Sequence, residues 1–536
     1  MLIPRWARAA RGLWRPRMLV LIATVLFLSF AWSGESPLLG PGTPLAEAVY
    51  RFGAENSWIR VQNVGDAPAA VEVEYHDEQG NLVGRDACPT PGGCPLLEPG
   101  EGWTFFQRDN PSLPHDFRGS AVVTTDQPAV VLLAKDVIQP DGGFLIAGDT
   151  LSATTGASTL YLPLTASRDG PQRDWNGRFA IQNLSDTVTA CVTITYLSNY
   201  TDSEVHWDPY DPSQTDPKPR RKPGCPYGGM PLNPRATIFR GPDTMGVSTP
   251  FTGSVRIDTH KNSKGVSASQ QFLSATADIW NSLFRPFASY RGLVESELGQ
   301  TIVLPLVDRE VGPLNQWSTH FQIINKDPQK PAQVVIRFEG WDLSQSPPQF
   351  VVKLNRITVR GARMCFQDRD DFANCLAPGD RLPQNFVGTA RIIASKPIGV
   401  VVNRSGKFSD VFTNYRGIRP QDGARRVLLP VLNRNFGPYG NARGWNSWFR
   451  VMVADGGSAN VTVRYFGRDL PGGTVAYGQH VFREFTVFQH LESVLPDGFA
   501  GTAIIESDRP IVALANLTTD VFFGDTDLLY NGIPLP

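Results

Sequence analysis

Proton transfer and zinc chemistry fall first to histidine, and this chain of 536 residues has seven. His76, His115, His206, His260, His320, His480 and His490 are scattered along it, with no HExxH and no pair at ligand spacing. No GxSxG elbow and no phosphate loop occurs. Acids are plentiful, but no spacing marks two of them as an acid/base pair. The densest set lies in a Pro-rich and Asp-rich stretch, 199–230, where Asp202, Glu204, Asp208, Asp211 and Asp216 stand among Tyr200, Trp207 and Tyr210. Such oxygens could ligate Ca²⁺, which takes about six to eight of them. The Dx[DN]xDG spacing of a calcium loop is missing, so a solvated loop is the plainer reading. Asp368, Asp370 and Asp371, and Asp525 with Asp527, are weaker calcium hints that read as turn caps. Long loops on rigid scaffolds carry function, which makes Trp207, Tyr210, Asp208 and Asp211 the candidate ligand-loop residues. The expectation is no catalytic residue, no cofactor and no enzyme, with Ca²⁺ the one ion left open.

The six cysteines fall as Cys88 with Cys94, Cys191 with Cys225, and Cys365 with Cys375, none in a CxxC pair. Short-range disulfides are the simplest connectivity, and buried free thiols are the alternative. Asn183, Asn199, Asn403, Asn460 and Asn516 occupy N-x-[ST] sequons; Asn183 ends an expected strand and is a doubtful acceptor.

Location is written at the start of the chain. Arg5, Arg8, Arg11, Arg15 and Arg17 precede an uncharged run from Met18 to Trp32. That order is a secretory signal or a signal anchor. The run is shorter than the ~20 residues of a comfortable span, and cleavage and retention both stay open. Residues 33–43 read as a Ser/Gly/Pro spacer. The formal charge is −1 overall, which speaks against a nucleic-acid partner held by bulk electrostatics.

Everything after the spacer is organised by repetition. An apolar-Pro-apolar phrase opens the blocks at Leu162-Pro163-Leu164, Leu304-Pro305-Leu306 and Leu429-Pro430-Val431, with Thr43-Pro44-Leu45 a weaker first copy. A strand phrase follows (WIRVQN, FAIQN, FQIIN, FRVMV), led in the last three blocks by Trp175, Trp317 and Trp445. Next come Val71-x-Val73-x-Tyr75, Val192-x-Ile194-x-Tyr196, Val334-x-Ile336-x-Phe338 and Val461-x-Val463-x-Tyr465, period-two patterns with one apolar face. The most specific phrase is F-x-G-[ST]-[AV], centred on Gly119, Gly253, Gly388 and Gly501. A closing Tyr-x-Gly falls at Tyr290, Tyr415 and Tyr530. The recurring tryptophans read as core residues rather than sugar platforms.

Blocks of this length, with 50 glycines and 44 prolines punctuating short strands, predict an all-β chain of antiparallel sandwiches. The V-x-V-x-Y strand, the L-x-P-G turns at Pro99-Gly100 and Pro378-Gly379, and the F-x-G-[ST]-[AV] start resemble the tandem immunoglobulin-like or fibronectin-III-like repeats of bacterial cell-surface proteins. The resemblance implies four tandem Ig-like β-sandwich domains after the N-terminal helix: 44–155, 156–297 (insertion 199–230), 298–424 and 425–536. It implies jobs in spacing, adhesion or partner binding. Beads joined end to end would hold something ~150 Å from a membrane. The expected function is an exported structural or spacer protein of the cell envelope. The alternative is a multivalent surface binder of polysaccharide or a protein partner. Membrane contact would run through the N-terminal segment alone, and self-association stays open.

Overall fold

A computed structural model describes residues 54–535, apart from 91–92, 153–155, 171–173, 200–202, 209–221, 283–285, 370–374, 440–442 and 468–469. The signal or anchor, the spacer and Thr43-Pro44-Leu45 lie outside the described residues. Among the described residues no helix is long and apolar enough to cross a membrane. The protein is all-β: antiparallel sheets joined by turns, with three-residue 3₁₀ turns its only described helical pieces.

In residues 54–152 a four-stranded sheet holds Ala54–Asn63 and Ala129–Ile138, and a three-stranded sheet holds Val71–Asp77 and Gly119–Thr125. Ile59 and Val61 of one meet Val73 and Tyr75 of the other in a shared core. The period-two pattern produces this, because every second side chain of each strand faces inward. The later repeats reuse the pairing with longer strands. Phe386–Gly406 and Phe499–Thr519 each run through Pro397 or Pro510 from one side of their core to the other.

Register explains the shared phrases. The aromatic that ends V-x-V-x-Y pairs with the fifth residue of F-x-G-[ST]-[AV] each time: Tyr75 with Ala121, Tyr196 with Val255, Phe338 with Ala390, Tyr465 with Ala503. Glycine is required in that phrase. A Cβ on Gly119, Gly253, Gly388 or Gly501 would overlap the carbonyl oxygen of His76, Leu197, Glu339 or Phe466, and the ring of the phenylalanine two residues earlier. Asparagine at the end of the strand phrase has its own task. The side-chain amides of Asn63, Asn183 and Asn325 donate to pairs of loop carbonyls, such as Val188 and Leu232 for Asn183. The fourth repeat has Val453 there.

The closing tyrosine returns to the opening phrase. Tyr290 Oη donates to the Leu164 carbonyl and accepts from the Leu164 N–H at 2.9 Å. Tyr415 does the same with Leu306, and Tyr530 with Val431. The proline at the centre of the opening phrase has no N–H to donate, and the strand pairing is irregular beside Pro305 and Pro430. The tyrosine hydroxyl fills the gap in the ladder.

The expected cysteine pairs are present as disulfides: Cys88–Cys94, Cys191–Cys225 and Cys365–Cys375, with Cα–Cα separations of 5.1, 5.5 and 5.1 Å. Separate beads joined end to end are not what the structure shows. Ala48–Pro536 is one compact unit, and its first and last repeats touch.

Candidate functional site

The element after each long strand is short and apolar: Phe144–Ser152, Phe287–Arg291, Phe412–Arg416 and Asp527–Asn531. Each packs against its counterparts in the repeats before and after it, and the contact between the first and the fourth closes the ring. The short strands of the last three repeats are buried on both faces, which is why the polar residues that they carry need partners. One face serves its own repeat and the other enters the neighbouring core. Leu132, Ala134 and Ile146 complete the core of the fourth repeat. Leu514 and Leu529 enter that of the third, and Val401 and Phe412 that of the second. A head-to-tail contact repeated around an axis closes when the rotation suits the number of copies.

Two buried polar groups fasten the ring at the level of these strands. Asp525 accepts the backbone N–H of Phe287 at 2.7 Å and of Phe412 at 2.9 Å through one carboxylate oxygen. Its main-chain carbonyl accepts the N–H of Ile146 at 2.9 Å. Ile146, Phe287 and Phe412 occupy the same register position as Asp527, two residues beyond Asp525 itself. One residue therefore binds all four repeats. Burial pushes its carboxyl well above the usual range, against the pull of the Phe287 N–H. Burial likewise raises Asp527 to about 6, opposed by the Asn516 amide.

The second fastening is ionic. Asp149 accepts Arg416 Nε at 2.7 Å and the Arg291 N–H at 3.1 Å. Arg291 also holds Glu297 at 2.8 Å. Thr150 donates to the Asn531 carbonyl, and Asn531 exchanges two 2.8 Å bonds with the main chain of Arg416. Burial works against the Glu297 carboxylate but is outweighed by Arg291 and Arg416, which hold it at about 2.

Further out, a side chain at one position of the strand phrase reaches the proline of the preceding repeat. Arg60 Nε donates to the Pro430 carbonyl at 2.8 Å, and Arg450 Nε to that of Pro305 at 2.6 Å. Gln322 reaches Ser254, which bonds Pro163. The seam between the first two repeats is an ion pair: Lys135 meets Asp278 at 2.7 Å and Arg178 meets it at 2.8 Å. Burial disfavours the Asp278 carboxylate, yet Lys135 and then Arg178 bring it to about 2. Two of the recurring tryptophans belong to the seams too. They are half-buried, Trp175 lying 5.0 Å from the ring of Phe412 and Trp445 5.7 Å from that of Phe144. Trp175 and Trp445 pack against the core of their own repeat as expected and also meet a neighbouring one, while Trp317 lies under Arg404 of its own repeat.

No family model and no curated protein matches this chain.

The residues singled out from sequence are not brought together. Trp207 and Asp208 lie on the edge strand Ser203–Asp208, opposite Thr195 and Ile194; Tyr210 and Asp211 fall outside the described residues. Among the described residues no group of three His, Cys, Asp or Glu could hold a metal ion. Asp370 and Asp371 are not described, while Asp525 caps buried main chain and Asp527 accepts the side-chain amide of Asn516. The histidines stay apart: His320 is half-buried, stacked on Phe366 at 4.6 Å and pushed by desolvation to about 3, His260 bonds Thr193 at 2.7 Å, and His115 is exposed. Of the sequons, Asn183, Asn403 and Asn516 are buried in the fold. Sequence reasoning missed Asp149, Arg291, Glu297, Arg416 and Arg450. The signal for two of them was present, because Arg291 and Arg416 each follow a closing tyrosine directly.

Proposed function

We propose that this chain is an exported, non-catalytic structural protein of a cell envelope, its four Ig-like sandwich repeats closed into one unit. The observation that supports it is the employment of the buried polar groups. Buried Asp149, Arg291, Arg416 and Asp525 all bind one repeat to another, and half-buried Glu297 joins them through Arg416. The three disulfides suit an oxidising compartment, and the arginine-led apolar run at the N-terminus suits export. A closed unit replaces the long spacer: its role is to present a rigid surface, not to reach.

Cell fractionation with a C-terminal tag tests this reading. The tagged chain should be exported and cut by protease added to intact cells. A chain shielded from protease and retained with cytoplasmic markers would overturn it. A full-length mass would mark an anchored protein, and a mass shortened by the N-terminal segment a released one.

A further inference from the structure

Each repeat ends one sheet with the strand that follows V-x-V-x-Y: Leu82–Cys88, Ser203–Asp208, Gln349–Val359 and Leu470–Phe482. An edge strand presents unpaired main-chain groups, and proteins blunt such edges with short strands or bulges. Three of these edges are blunted. The pairing shifts beside Tyr75, beside Tyr196, and twice between Val463 and Gly467. Gln349–Val359 is different. It pairs with Ala332–Asp342 without a shift over its whole 11 residues, and among the described residues it pairs with no other strand.

Its outward face is apolar from Phe350 to Leu354 and continues with Arg356 and Thr358, and Arg483 lies over the ring of Phe350. Phe350, Val352 and Leu354 are 41%, 43% and 57% exposed, next to Trp341, whose ring lies 5.2 Å from that of Phe350. The strand is also cationic. From Leu343 to Gln367 the chain carries Lys353, Arg356, Arg360 and Arg363 and no acid. A second copy of this edge would bring the same charges, and like charges across an interface disfavour pairing. An acidic strand meets no such penalty.

We propose that Gln349–Val359 is a docking edge that takes an added antiparallel β-strand from a partner protein, an extended segment alternating apolar with acidic residues. Main-chain hydrogen bonds give the affinity, the apolar stripe sets the register, and Lys353, on the other face of the strand from the stripe, meets the acidic side chains. The inference stands on this edge alone and holds wherever the chain resides.

The test uses two blocked nine-residue peptides, one alternating valine with glutamate and one alternating valine with lysine, titrated into the full chain. The glutamate peptide should saturate, slow amide exchange at 349–359, and bind roughly tenfold more weakly after Lys353→Glu. Leu354→Glu, at an exposed position, should weaken it as well. Equal binding of both peptides, binding of neither, or exchange protection confined to other strands would overturn the proposal. So would self-association of the peptide-free chain that Leu354→Glu abolishes, because that puts a second copy on the edge.

Discussion

Arg450 lies in the fourth repeat and donates its Nε at 2.6 Å to the carbonyl of Pro305 in the third. Proline breaks the strand ladder at that point and leaves main-chain groups for others to satisfy. Arg450 takes one and Tyr415 takes its neighbours at Leu306. Burial pulls the guanidinium down to about 10, still far above neutrality, so the arginine stays charged and Glu484 balances it. The same irregularity serves the repeat that contains it and the repeat that follows.

Tyr415→Phe should separate the two uses. It leaves the buried N–H and carbonyl of Leu306 without their hydroxyl partner at a cost of about 1–3 kcal/mol. A urea midpoint unchanged by the substitution would show that the hydroxyl contributes nothing.

Asp525→Ala should be among the most damaging single changes in the chain. Two buried N–H groups from different repeats lose their acceptor, and each such loss costs about 1–3 kcal/mol. Asp525→Asn retains a carbonyl oxygen for them and should recover most of the stability. Equal destabilisation by both variants would contradict the assignment.

The raised carboxyl of Asp527 sets a pH dependence whose sign is fixed. Its folded value of about 6 exceeds the ordinary 3.8 of an aspartate, so the folded state holds the proton more tightly between them. Stability from this group is present below about pH 4 and is lost as pH rises through 6, by roughly 3 kcal/mol in all. His320 acts oppositely: its folded value of about 3 lies below the ordinary 6.5, so its contribution grows as pH rises. The stability difference between wild type and Asp527→Asn isolates the first effect. The stability of wild type relative to the variant should fall by about 1.4 kcal/mol per pH unit between pH 4 and 6, and a flat difference would refute the assignment.

Removing Cys191–Cys225 tests the insertion. The bridge closes a separation of 34 residues, for which loop-closure entropy gives about 3–4 kcal/mol. A Cys191→Ser/Cys225→Ser chain should unfold at correspondingly lower urea. An unchanged midpoint would show that the insertion is held by other contacts.

The all-β class, the strand phrases and the cysteine pairs were legible because each follows from local chemistry. Alternation places one face inward, F-x-G needs a glycine under its phenylalanine, and the cysteines are close in sequence. The closure was not legible as a pattern. Equivalent positions across the seams carry Arg60, Gln322 and Arg450, or Asp278, Asn403 and Asn516, so neither set keeps one residue type throughout. Asp525 sits in an Asp-Thr-Asp turn that looks like a cap, and it is one, for strands in other repeats. The nearest hint was the run of apolar residues at Val130–Ala134, Ile398–Val402 and Ile511–Ala515. Strands that are apolar on both faces require cover on both faces.

The central claim is that the first and last repeats touch. Spin labels at Ile138 and Phe523, both exposed, measure it by dipolar coupling. The loop at Gly142 meets Phe523, so a short, narrow distance distribution is predicted. Beads in a string would separate those sites by on the order of 100 Å, and the absence of coupling would contradict the closed ring.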